Sequence, residues 1–206
     1  EYAYDFLLFC TRNPGPCPLI EVAESSQSQY CAKGADLSTA LPSYRLYSGG
    51  QLVEQGHEVG RKYGSDMVWF VIGCSYSFEF MLDESGIKLR GMEEGRGNPL
   101  FITNRPCSPA GIFSGPLVVS MRPIPQGKAG LVSAISAKLP VAHGGPVHIG
   151  DHRGLGIEDL MRPDYGSPSE VADDEIPVFW ACSVTPQAIA VKAKIPSMIA
   201  HNPGHM

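Results

Sequence analysis

Apolar residues recur at helical spacing near the start of the chain, at Tyr2, Ala3, Phe6, Leu7 and Phe9, and Asn13-Pro14-Gly15-Pro16 supplies a stop. One amphipathic helix is predicted to end there. Pro18-Leu19-Ile20-Glu21-Val22 has the pattern of a short strand, and the polar stretch 24–33 has no periodicity and is expected to be a surface loop. Tyr44-Arg45-Leu46-Tyr47 and Gln51-Leu52-Val53-Glu54 flank Ser48-Gly49-Gly50, whose glycines can hold the positive φ of a tight hairpin lying at a sheet edge. Residues 66–73 form a continuous apolar, β-rich run, expected to be a strand buried on both faces of a parallel or mixed sheet. A helix is predicted over 78–84, stopped by Gly86, with strands at 100–103 and 117–121. A second helix follows at 131–139, after turns at Gly127 and Gly130, and then strands at 147–150 and 178–182. Thr185-Pro186 fits an N-cap and first helical position, and 195–200 returns as strand. The alternation predicts an α/β fold, a mixed β-sheet with flanking helices.

Composition narrows the function classes. The 206 residues are 43% apolar and 18% charged, enough for one packed core. One domain is expected, with two lobes sharing a site: 1–125 plus 175–206 as the main lobe and 126–174 as the smaller one. The formal charge is −5 and no basic stripe exists, so nucleic acid is not an expected partner. The longest apolar run, 67–72, is far short of the roughly 20 residues of a membrane span, and no secretory apolar segment is present. With 23 glycines and 18 prolines the chain is rich in specified loops, where binding and catalytic groups tend to sit. The six cysteines form no C-x-x-C pair or metal-ribbon pattern, and reduced thiols are expected. The chain begins at Glu1 rather than Met and is expected to be a piece of a longer product.

An internal echo locates a site. Asp66 to Glu79 can be laid on Asp174 to Gln187, 108 positions on: each is Asp, an apolar run, then C-S-x-[S/T]-x-[E/Q]. A helix follows each, and then a strand ending in a polar pair and proline, Asn104-Arg105-Pro106 in one and His201-Asn202-Pro203 in the other. The echo is either an internal duplication of a strand-turn-helix-strand unit or a chance likeness of two strand-helix turns. Each turn sets backbone N–H groups and a hydroxyl at the positive end of a helix, where carboxylates or phosphates bind. Cys74, Ser75, Ser77, Cys182 and Thr185 are therefore candidate substrate-binding residues, with Asn104 and Arg105 at a strand end. Two such turns would suit a dicarboxylate or amino acid. Ser77 and Thr185 could equally be plain helix caps, and Cys74 and Cys182 either buried packing residues or thiols activated by a helix end. Glu79 falls in the first helical turn. Arg122 ends the 117–121 strand and is a candidate clamp for a substrate carboxylate, or half of a surface salt bridge.

His143-Gly144-Gly145-Pro146-Val147-His148 places two imidazoles on one compact loop. The spacing matches no helical zinc pair, so acid–base work near neutral pH is the more natural use, with metal ligation by His143, His148 and His201 as the alternative; no metal and no cofactor are expected. His143, His148, Glu79 and His201 are the candidate catalytic residues. Self-association is left open.

Several stretches together resemble the D-glutamate cyclase-like hydro-lyase family, bacterial and mitochondrial. They are Asn13-Pro14-Gly15-Pro16-Cys17-Pro18-Leu19-Ile20, Gly73 to Glu79, Gly115 to Pro123, His143 to Gly150, Arg162-Pro163-Asp164 and Phe179 to Gln187, in family order along nearly the whole chain. Departures are Ser183, where the family carries glycine, and Gly145, where it carries a small non-glycine residue. The resemblance implies cyclisation of D-glutamate to 5-oxo-D-proline with loss of water, in the mitochondrial matrix or the cytoplasm. It leaves as alternatives a hydro-lyase on another small carboxylic acid or a non-catalytic carboxylate-binding module. His148 or His143 would then take the ammonium proton, the helix ends with Arg122 or Arg105 would hold carboxylates, and Glu79 or His201 would protonate the departing hydroxyl.

Overall fold

The computed structural model describes residues 2–202. The first helix, α1 (Ala3–Arg12), buries Phe9 and Cys10 and ends where Asn13 takes over. The Asn13 amide donates to the carbonyls of Phe9 and Ser108 and accepts from the Ser108 N–H, which ties the helix end to a distant loop. Strand β1 (Leu19–Ala23) pairs antiparallel with β4 (Trp69–Ile72) in a two-stranded sheet. Between them lie the hairpin β2 (Tyr44–Ser48) and β3 (Gln51–Gly56), as expected at an edge, and the short helix α2 (Glu58–Tyr63).

The apolar run at 66–73 does not become a strand buried on both faces in a parallel ladder. β4 is half-buried and antiparallel, as is every ladder among the described residues. Its apolar character serves packing on α1, where the Phe70 ring meets Phe6 edge-on at 4.9 Å. At the end of β4, a Cβ on Gly73 would stand 1.6 Å from the Val141 carbonyl oxygen, so only glycine lets this strand pass the 140–142 turn. The polar loop 24–35 is held by Glu21 of β1. Its carboxylate accepts from the Ser28 hydroxyl at 2.8 Å and from the N–H groups of Gln29 at 2.6 Å and Cys31 at 3.0 Å; the Cys31 thiol first, then the Gln29 and Cys31 N–H groups, draw its pKa down to about 2.

After β4 come α3 (Tyr76–Glu84), the single turn α4 (Arg90–Glu93), β5 (Leu100–Pro106), β6 (Pro116–Pro125) and α5 (Ala129–Ser136). The chain closes with β7 (His148–Ile149), β8 (Glu175–Ala181), α6 (Val184–Lys192) and β9 (Ser197–His201). The expected α/β alternation is present. Strands β5-β6-β8-β7 make one sheet and β3-β2-β9 another. The strand after α3 joins a sheet of the later half of the chain, β5 on β6, while the strand after α6 joins the earlier half, β9 on β2. This reciprocal exchange brings the two strand-helix turns toward each other.

The largest apolar cluster packs α3 and α5 over β6 and β8, with Phe78, Leu82, Ile124, Val132 and Trp180 wholly buried. Arg122 is buried in it, its guanidinium 5.0 Å from the centre of the Phe78 ring and 5.1 Å from that of Trp180. Such cation–π contacts stabilise a charge inside apolar surroundings only if its hydrogen bonds are also made. They are made at the candidate site.

Candidate active site

A cleft of about 760 Å³ opens between α3 and α6, floored by β2 and bordered by the strap 91–98. The two turns of the echo both reach it. Cys74, Ser75, Tyr76, Glu79 and Phe80 line one side, and Cys182, Ser183, Val184, Gln187 and Ala188, each 108 positions later, line the other. Five equivalent pairs facing one hollow are the geometry expected of a repeated unit. A small ligand there meets two helix starts.

The polar centre of the cleft is built on Arg122. Its Nε donates to Glu79 Oε1 at 2.8 Å, a second nitrogen donates to that same oxygen and to Ser75 Oγ at 2.8 Å, and the third donates to Ser120 Oγ at 2.9 Å. Asn98 of the strap donates to Glu79 Oε1 at 2.8 Å. Arg122 is 1% exposed and Glu79 3%, so the pair is deeply desolvated and each charge depends on the other. Because Arg122 occupies a lone pair of each serine, both hydroxyl protons are turned away from it. Ser75 and Ser120 thus present O–H donors backed by a fixed positive charge. Glu79 Oε2 accepts no hydrogen bond among the described residues and belongs to a cleft-lining side chain. Arg122 itself does not line the cleft. The clamp anticipated at this position is instead a buried guanidinium that acts through its three partners.

His201, at the end of β9, lines the cleft, with Nδ1 3.0 Å from the Asn202 carbonyl, an arrangement that puts the proton on that nitrogen. Arg45 and Tyr47 enter from β2, and Gln187 donates to the Tyr47 hydroxyl at 3.2 Å. Arg45 makes no salt bridge among the described residues, its Nε donating instead to Gln55 at 3.1 Å, so its charge is available to an anion. Burial pushes the thiols of Cys74 and Cys182 up, Cys182 to about 11, so neither is activated by its helix end. They are uncharged walls of the site.

Other candidates lie elsewhere. Ser77 is exposed on α3 and outside the cleft, and no side chain caps that helix. Thr185 does not cap α6, which starts at Val184. Its hydroxyl accepts from the Val118 N–H at 3.0 Å and donates to the Val118 carbonyl at 3.1 Å, locking α6 onto β6. Asn104 and Arg105 are exposed at the end of β5, and Arg105 donates to the Val147 carbonyl at 3.1 Å. Pro203, the last residue of the echo, lies outside the described residues. His148 lies outside the cleft, with Nε2 bonded to the Asp151 carbonyl at 2.7 Å and its ring against Phe179.

His143 is buried, also outside the cleft lining, and adopts a left-handed φ of 76°, unusual for a residue with a side chain. Its Nδ1 donates to the Gly15 carbonyl at 2.8 Å. Burial, helped by the charge of Arg122, draws its pKa down to about 4. Between pH 6.5 and 4 the unfolded chain therefore takes up a proton that the folded protein refuses. Stability attributable to this residue is complete above pH 6.5, falls as pH drops through that window, and levels off below 4, a loss on the order of 3 kcal/mol. Urea unfolding at a series of pH values should show wild type losing stability more steeply than His143→Gln across pH 6.5 to 4. Equal slopes would mean that this imidazole is not kept neutral.

The serine at 120 and the asparagine at 98 were not anticipated. Ser120 carried a signal, since it stands two residues before Arg122 on a strand and so shares its face. Asn98, in the glycine-rich Gly95-Arg96-Gly97-Asn98, carried none.

The model of the D-glutamate cyclase family matches residues 68–206, which include both turns, Ser120, Arg122 and His201. The chain belongs to this family. Similar proteins carry the name "Putative hydro-lyase". One from Stutzerimonas stutzeri is 50% identical over all of this chain and 78% of its own length, one from Rubrobacter xylanophilus 49% over 80% of its length, and one from Thermoanaerobacter sp. 49% over 78%. These relatives are bacterial and give the expected mitochondrial setting of this D-glutamate cyclase family member no support. Among the described residues no helix is long and apolar enough to cross a membrane, and no group of three or more His, Cys, Asp or Glu is placed to hold a metal.

Proposed function

We propose that the protein closes D-glutamate into 5-oxo-D-proline with loss of water. The observation that carries this reading is the convergence of Ser75, Ser120, Glu79 and His201 on one cleft, in a chain of the D-glutamate cyclase family.

The reaction needs the substrate folded so that its α-nitrogen reaches the side-chain carboxyl carbon, and holding that conformer supplies much of the rate. Arg45 attracts a carboxylate. Glu79 Oε2 attracts the α-ammonium and brings it over the carboxyl held by the two serines. His201 accepts the ammonium proton, the amine adds to the carboxyl carbon, and the hydroxyls of Ser75 and Ser120 stabilise the oxyanion that forms. His201 returns that proton to the departing oxygen and then relays to the same oxygen the second proton lost by the nitrogen, so that it leaves as water. The histidines at 143 and 148 have no part in this scheme, since neither lines the cleft.

Separate incubation with D- and L-glutamate, followed by chiral chromatography, tests the proposal. The expected result is 5-oxo-D-proline from the D-isomer and no enzyme-dependent product from the L-isomer. Absence of oxoproline from both overturns it.

A further inference from the structure

The cleft is larger than glutamate needs and is divided by residue type. On α3, Ser75 and Glu79 form a buried polar row, while Tyr76 and Phe80, one position on, are 45% and 61% exposed at the mouth. On α6, Ser183 and Gln187 form the matching polar row, with Val184, Ala188 and Val191 beside it at the spacing of one helix face. Met92 of the strap, 44% exposed, adds a flexible apolar side chain to the same mouth. Volumes of this size suit ligands of drug-like bulk, and clustered exposed apolar side chains continuous with a polar centre mark surface that a ligand covers. Large side chains of α3 and small ones of α6 line the same cleft, and the space they border is an apolar slot.

We infer that this slot accepts an apolar substituent on the side-chain carboxyl of the substrate, so that the enzyme also cyclises γ-amides of D-glutamate with apolar amines. The inference rests on the cyclisation proposed above. The chemistry is the same to the point of collapse: the α-nitrogen bonds to the γ-carbonyl carbon, the bond from that carbon to the amide nitrogen breaks, and the two protons lost by the attacking ammonium nitrogen end on the departing amine, which leaves protonated. The products are 5-oxo-D-proline and a free alkylamine, with no change in oxidation state. An apolar amine in the slot is anchored by Phe80 and Met92 while the serines hold the carbonyl oxygen.

The γ-methylamide and γ-butylamide of D-glutamate, whose amines are of nearly equal basicity, isolate the contribution of the slot. With free D-glutamate assayed in parallel, kcat/KM for the butylamide is expected to exceed that for the methylamide about tenfold or more, three added methylenes being buried. Ala188→Phe, which fills the slot from α6, should bring that ratio close to one, a readout independent of how much enzyme is folded. Equal kcat/KM for the two amides in wild type, with D-glutamate still cyclised, overturns the slot and leaves the cyclase reading standing. A ratio unchanged in Ala188→Phe also overturns it. No 5-oxo-D-proline from any of the three compounds overturns both.

Discussion

Arg122→Met is expected to destabilise the protein by about 3–5 kcal/mol, the cost of stripping one partner from a buried ion pair. For a chain of this size that is a fall in Tm of roughly 6–20 °C. Methionine fills much of the space between Phe78 and Trp180, so the loss comes less from a cavity than from charge: Glu79 remains buried with Asn98 as its one surviving donor. Ser75 and Ser120 lose their shared donor at the same time. The double variant Arg122→Met/Glu79→Leu removes both charges and should recover most of the stability while remaining inactive, because no fixed charge then backs the serines. Urea unfolding of the two variants checks this. If the double variant is no more stable than the single one, the buried pair is not what the single substitution damages.

The same four residues show how far the sequence could be read. Arg122 was recognisable as chemistry, although β6 runs on to Pro125 and so holds it inside the strand rather than at its end, and Glu79 as a carboxylate in a first helical turn. Their pairing, across 43 positions, depends on α3 lying over β6, which no local pattern encodes. The echo was the most informative signal because it compared two places in the chain and so carried tertiary information: five of its equivalent pairs face one cleft. A single position carries less information. Thr185 has the residue type and placement of a cap, yet the backbone of Val118 claims its hydroxyl. In the loop from His143 to His148 the two imidazoles part, His143 turning to the Gly15 carbonyl and His148 to that of Asp151. The run at 69–72 has the apolar density of a parallel strand because α1 and the 140–142 turn cover it, not because strands flank it on both sides. Secondary structure was legible because glycine and proline punctuate it. The direction in which a side chain leaves a loop was not, since it is settled by whichever distant polar group needs a partner.

Ser75→Ala and Ser120→Ala are each expected to lower kcat for D-glutamate about 100- to 1,000-fold, the loss seen when one donor to a developing oxyanion is deleted. KM should change little, because the uncharged hydroxyl contributes more to the charged intermediate than to the ground state. A second consequence separates this role from a merely structural one. Each substitution leaves an Arg122 N–H without an acceptor, which should cost about 1–3 kcal/mol of stability whether or not the hydroxyl does chemistry. Ser75→Thr keeps both the acceptor and the O–H, so it should restore a substantial part of kcat along with stability. The double alanine variant should fall short of the product of the single effects, since both hydroxyls are held by the same guanidinium and serve the same oxygen. Steady-state kinetics at a temperature where every variant is folded, with urea unfolding alongside, resolve the two effects. If Ser75→Ala and Ser120→Ala each retain kcat within threefold of wild type, the hydroxyls only satisfy Arg122, and the oxyanion must be met by backbone N–H groups such as those of Ser75 and Ser183, since the Cys182 N–H is held by the Val118 carbonyl.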